Sequence, residues 1–270
     1  MSATATIGVF DSGFGGLTVL RELLPLIPGA HYLYVGDTAR LPYGSKSPAT
    51  IARYAVVSAR FLESHGAGHL VIACNTATAL AMREIVESVG IPVTGVIEPV
   101  VRMTQQCHQN ANTLILATTA TVESHAYRVF CVERGLHPTE KACPLLVPLI
   151  EEGWIDHPVT RDVLRIYLRE ALEVCSPEVV ILGCTHYPMI APLVSETLKE
   201  LGSKAVVVDS ARATALAVSE GYQDSDEPAE GIRDATFECY ATDSVEKFAR
   251  LGGQFLGQTI SRVELLDLGG

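Results

Sequence analysis

Hydrophobic and polar positions along the chain alternate between two rhythms. Short runs of Val, Ile, Leu and aromatic residues, apolar on both faces, are separated by longer stretches in which apolar residues return every three or four positions. The first rhythm suits a strand buried on both sides and the second an amphipathic helix. Their alternation predicts βαβ units around parallel sheets. Strands are expected at residues 7–10, 32–35, 70–73 and 93–96, again at 114–117, 179–182 and 205–208, and finally at 236–240 and 262–266. The best-defined helix lies between Ser47, which can cap it, and Gly66 beyond its end, with Pro48 in the first position. Further helices are expected near residues 122–134, 160–174 and 192–201 and from about 244, and the acidic stretch QDSDEPAE (223–230) reads as a solvated loop.

Composition narrows this α/β picture. With 48% hydrophobic and 19% charged residues in 270, the chain belongs with ordered globular proteins. A balance of 20 Lys+Arg against 31 Asp+Glu leaves −11, a field that repels phosphate backbones and anionic lipid heads, so neither nucleic acid nor membrane is an expected partner. An anionic ligand would need local donors such as helix N-termini. No stretch of 18 apolar residues and no basic leader precedes the first strand, so a cytoplasmic protein is expected. Seven cysteines without a C-x-x-C pair argue against a disulfide framework or a structural zinc site.

Two segments carry the chemistry. HLVIACNTATA ends its strand at Cys74 and EVVILGCTHYP ends its strand at Cys184, each followed by small hydroxyl or amide residues. Ligands of α/β sheets bind at the carboxyl ends of strands. A lone cysteine there is usually a buried small hydrophobe, but two in matching contexts suit a reaction that removes a proton from one face of a carbon and delivers one to the other. A thiol near pKa 8.5 is little ionised at neutral pH, so each needs a tuning partner. Asp11, in VFDSG, and His186, two residues past Cys184, are the candidates. Ser12, Asn75, Thr76 and Thr185 can supply donors to a carboxylate, and Tyr43 and Gly44 of LPYGSKS can line a pocket mouth. The turn DSGFGG reads equally as a ligand loop or as a tight turn using glycine's φ freedom, with Thr18 where a dinucleotide fingerprint has its third glycine.

Competing chemistries are tested by spacing. A cysteine phosphatase loop requires Arg six residues after its Cys, where this chain has Leu80 and Ile190. A Cys184–His186 hydrolase or lyase remains open, as does an amino-acid binding module. No cofactor motif is present, and Cys184 with His186 lacks further metal ligands in sequence.

Taken in order, IGVFDSGFGGLTV, DTARLPYGSKS, CNTATA, CPLLVPLIEEG, GCTHYP and VDSARATA resemble the glutamate racemases of the aspartate/glutamate racemase superfamily over nearly the whole chain. The resemblance implies a cofactor-independent, metal-free isomerase that interconverts L- and D-glutamate and supplies the D-enantiomer for peptidoglycan. It implies two pseudo-symmetric α/β lobes with the site between them, residues 1–97 plus 209–270 and residues 98–208, closing on substrate and allowing a homodimer. By similarity Cys74 handles the α-proton of D-glutamate and Cys184 that of L-glutamate, Asp11 assisting the first and His186 the second. Asp11, Ser12, Tyr43, Gly44, Asn75, Thr76, Thr121, Thr185 and His186 would surround the substrate. Glu151 or Glu152 of PLIEEG would be a further helper, with Glu151 taken here. Ala120 stands where relatives often carry glycine. A related enzyme for aspartate or another amino acid is the near alternative.

Overall fold

The computed structural model describes residues 5–222 and 234–269, so the expected loop at 223–230 lies outside the described residues. In chain order the elements are β1 (Thr6–Asp11), α1 (Leu17–Leu23), β2 (His31–Gly36), α2 (Pro48–Ser64), β3 (His69–Ile72), α3 (Asn75–Ser88), β4 (Val93–Gly95) and α4 (Ile97–Cys107). They continue with β5 (Asn112–Ala117), α5 (Thr119–Glu123), α6 (Ala126–Glu133), β6 (His137–Ala142), α7 (Leu146–Glu151), α8 (Pro158–Val174) and β7 (Val179–Gly183). Last come α9 (Ala191–Glu200), β8 (Val206–Asp209), α10 (Ser210–Glu220), β9 (Thr236–Ala241), α11 (Val245–Leu256) and β10 (Val263–Leu265).

The strands form two wholly parallel sheets, one in the order β10-β9-β2-β1-β3-β4 and the other β6-β5-β7-β8. The order β2-β1-β3-β4 thus recurs as β6-β5-β7-β8, and the resemblance between the Cys74 and Cys184 segments becomes structural, since each cysteine follows the third strand of its repeat. Central strands such as β7, VVILG, are buried at every position, as sheets covered by helices on both faces require.

Three differences from the sequence reading have physical causes. β6, HPTEKA, escaped the pattern because it is an edge strand, half-buried over most of its length and free to carry polar residues, which blunt the unpaired edge. The helix expected over 122–134 is two helices, because His125 takes a left-handed φ of 55°. α8 starts two residues early, at Pro158, with the His157 ring accepting from Val159 N–H. At α2 the Ser47 hydroxyl accepts from Thr50 N–H, and Gly66 ends the region at φ +93°.

One apolar core runs between the sheets. It joins Val9, Leu17 and Leu20 to Leu116, Leu182, Ala211 and Ala215, with α1 packed along α10. Burial shared in this way holds the carboxyl ends of β1 and β3 opposite those of β5 and β7.

Candidate active site

A cavity of about 500 Å³ opens where those strand ends meet, within the size range of small-molecule sites. Ser12 follows β1, Leu41 to Gly44 follow β2, and Cys74, Asn75 and Thr76 follow β3. From the second sheet, Thr118 and Thr119 follow β5, Pro144, Val147, Pro148 and Glu151 follow β6, and Cys184, Thr185 and His186 follow β7. Equivalent loops of the two repeats therefore contribute equivalent walls. Cys74 and Cys184 are each 5% exposed and both open onto this cavity.

The two thiols sit in different electrostatic settings. Cys74 caps α3, its sulfur accepting from Ala77 N–H at 3.4 Å and lying 3.5 Å from the Ser12 hydroxyl. Burial pushes its thiol up to about 12, nearby Asp11 adding to the rise against those hydrogen bonds. Cys184 lies 3.9 Å from Nδ1 of His186, whose Nε2 is 3.2 Å from the Glu151 carboxylate. Burial by itself lowers the His186 pKa, but hydrogen bonds to the Cys184 sulfur and to Glu151 outweigh it and bring the imidazole to about 10. Phe14 and Phe255 pack their rings against it, so the charged imidazole rests in an apolar frame.

Asp11 and Thr121 do not line the cavity. Asp11 is fully buried behind it, accepting from Gly13 N–H at 2.9 Å and from the Thr185 hydroxyl at 3.4 Å. Desolvation raises its carboxyl above the usual range, opposed by the charge of His186 and by backbone N–H groups of Gly13 and Gly16. Thr121 stands behind Thr76 and Thr118, and the three hydroxyls form a closed ring with separations of 3.0, 3.2 and 2.9 Å. Thr118 is one of several wall residues, with Leu41, Pro42, Thr119, Pro144, Val147 and Pro148, that sequence reasoning passed over. The signal for Thr118 was available, because it follows β5 just as Ser12 follows β1. Ala120 sits inside α5 without positive φ, so it imposes no strain there. Of the two acidic residues in PLIEEG, only Glu151 reaches the cavity, while Glu152 faces solvent.

The glycines of DSGFGG do not use positive φ. They serve close approach. A Cβ on Gly15 would lie 2.5 Å from both Nδ1 of His186 and Oγ1 of Thr185, and one on Gly16 would lie 2.5 Å from Cβ of Asp11. The bare backbone lets the loop after β1 nest against the loop after β7, and the Thr18 hydroxyl donates to the Thr185 carbonyl at 3.0 Å across the same contact.

Asn75 is 2% exposed in the cavity wall. Its Oδ1 accepts from the Tyr127 hydroxyl at 2.7 Å, while its Nδ2 is sealed from solvent and has no partner among the described residues. An unpartnered buried donor costs about 1–3 kcal/mol, a cost that a ligand accepting from it would remove. The loop bearing Tyr43 is held from behind by fully buried Asp37, which accepts from Tyr43 at 2.6 Å, Arg40 at 3.1 Å and Thr242 at 2.9 Å. Among the described residues no group of three or more His, Cys, Asp or Glu is arranged to hold a metal, and no helix is long and apolar enough to cross a membrane.

Residues 7–218 match the family model described as Asp/Glu/Hydantoin racemase. The glutamate racemase of Koribacter versatilis is 48% identical, with 98% of each chain covered. Among solved structures, the glutamate racemase of Thermus thermophilus in complex with beta-chloro-D-alanine is 38% identical with a TM-score of 0.85, covering 98% of each chain. That of Francisella tularensis in complex with D-glutamate is 32% identical with a TM-score of 0.86, again covering 98% of each chain.

Proposed function

The chain belongs to the Asp/Glu/Hydantoin racemase family, and from that premise we propose that it interconverts L- and D-glutamate by proton transfer between two thiols. It is an isomerase of the racemase class. The observation that carries the thiol mechanism is the placement of Cys74 and Cys184 at equivalent strand ends on one cavity. In the L-to-D direction the Cys184 thiolate, paired with the His186 imidazolium, takes the α-proton, and the Cys74 thiol gives its proton to the opposite face of the resulting carbanion. The products are D-glutamate, a Cys184 thiol and a Cys74 thiolate, and the starting state returns either by the reverse reaction or by loss of the Cys184 proton to solvent and uptake of one by Cys74.

Held at about 12 by burial, Cys74 is a poor base, so the D-to-L direction draws on the substrate's own ammonium to stabilise its thiolate. A unit charge about 4 Å away at an effective dielectric near 20 is worth about 4 kcal/mol, which lowers a thiol pKa by about 3. Asp11 acts through the field around Cys74 and through Thr185, since it makes no hydrogen bond to the Cys74 sulfur. Ser12, Asn75, Thr76, Thr118 and Thr185 hold the two carboxylates, and the Tyr43–Gly44 loop closes one side. We further propose lobes of residues 1–97 plus 209–270 and of residues 98–208, a division supported by the two sheets. The D-glutamate goes to cytoplasmic peptidoglycan synthesis, a role supported by family membership.

The test is incubation of the purified protein with L-glutamate in D2O, followed by circular dichroism and by NMR of the α-proton. Decay of optical activity to zero with deuterium at the α-carbon is expected. Exchange with aspartate alone would change the substrate, and no exchange with either amino acid would overturn the reading in favour of a Cys184–His186 hydrolase.

A further inference from the structure

We propose that Tyr127 is a positioning residue that locks the Asn75 amide with its nitrogen toward the substrate, so that the site meets a carboxylate with a neutral donor. A primary amide has an accepting and a donating pole of nearly equal shape, and only its neighbours decide which one faces a ligand. Among the described residues, one contact makes that choice around Asn75. The Tyr127 hydroxyl donates to Oδ1 at 2.7 Å and leaves Nδ2 as the unpartnered pole, in a residue that lines the cavity. Were the amide reversed, the pole left without a partner beside the cavity would be an oxygen, which repels an anion.

Tyr127 is suited to this duty. It is fully buried, and its ring lies so close to the backbone of β7 that a Cβ on Gly183 would come within 3.1 Å of it. Its phenol is held well above its ordinary pKa by burial, with Cys131, Cys184 and Asp209 adding to the rise, so it keeps the proton it donates. The bond also spans the two repeats, since Tyr127 lies in the first turn of α6 beside the second sheet and Asn75 opens α3 beside the first. Nothing in the sequence marks this pair.

The inference rests on the glutamate racemase reading, and the experiment separates the two. The unmodified protein is assayed first with both enantiomers, and absence of racemisation there overturns the function and this inference with it. With an active parent, Tyr127→Phe is expected to raise KM for both enantiomers about ten-fold with kcat changed less than about three-fold, the pattern of lost uniform binding. In an Asn75→Ala background the same substitution should add nothing. Tyr32→Phe is the control, since among the described residues its buried hydroxyl donates to the Leu23 carbonyl, away from the site. It should lower Tm without moving KM. If Tyr127→Phe does not fold, Asn75→Asp keeps an acceptor for Tyr127 but turns the free pole into an oxygen, and KM should rise at least about 100-fold. An unchanged KM in Tyr127→Phe, an undiminished effect in the Asn75→Ala background, or a parental KM in Asn75→Asp would each overturn the inference.

Discussion

Replacing Gly15 by alanine tests how tightly the loop after β1 holds His186. The added Cβ would stand 2.5 Å from Nδ1 of His186 and 2.5 Å from Oγ1 of Thr185, whereas ordinary contact begins at 3.4 Å. The ring must therefore retreat by about 0.9 Å, the difference between those two distances. Its contact with the Cys184 sulfur is already long at 3.9 Å, and its bond to Glu151 is 3.2 Å. A retreat of that size breaks at least one of them, and a displacement near 1 Å in a catalytic constellation costs about 100-fold in rate. Overpacking itself costs about 1–3 kcal/mol, or about 2–12 °C in Tm for a chain of this size. Gly15→Ala should thus keep its fold by circular dichroism while kcat for glutamate racemisation drops about 100-fold. Because the products are enantiomers with an equilibrium constant of one, kcat/KM must fall equally in both directions, which checks the assay. Gly68→Ala, whose Cβ would meet only the Thr6 carbonyl at 3.8 Å, should match the parent. A Gly15→Ala variant within about three-fold of parental kcat would refute the claim that this contact positions the His186–Cys184 pair.

Serine in place of either Cys74 or Cys184 should reduce racemisation at least about 1,000-fold while calorimetry still detects glutamate binding, because an alkoxide is far harder to form than a thiolate; substantial turnover by Cys74→Ser would favour a hydrolase centred on Cys184. His186 binds its proton more tightly folded than unfolded, so the stability it contributes is complete below pH 6.5 and is lost as pH rises through about 10. The Tm advantage of the parent over His186→Asn should therefore shrink between those values, and an advantage that widens would contradict the Cys184–His186–Glu151 arrangement. Asp37→Ala strips buried partners from Tyr43, Arg40 and Thr242, costing about 3–5 kcal/mol and about 6–20 °C in Tm, and should raise KM by loosening the Tyr43–Gly44 loop. Parental values in thermal melts and initial-rate assays would refute that role.

Much of the molecule was legible in its residues because period and punctuation act locally. Alternation of buried runs and helical stretches predicted nine strands within a few residues, and Ser47, Pro48 and Gly66 bounded α2, since a cap and a left-handed turn are properties of short segments. β6 was not legible because an edge strand has no need of an apolar pattern. The break at His125 was missed because a helical period says nothing about one left-handed residue.

The site divides in the same way. Cys74 and Cys184 were visible because each ends a buried strand and is followed by small polar residues, a local signature that holds whatever the strands pack against. The tertiary structure decided what lies between them. Glu151 rather than Glu152 faces the cavity, Asp11 and Thr121 stand behind its wall, and Thr118 stands on it. The DSGFGG glycines serve a contact with the loop after β7 rather than a turn of their own, and Tyr127 reaches Asn75 from the other repeat. Each of these depends on how the two sheets and their helices are joined through a shared core, a relation between residues far apart in the chain that no local pattern records.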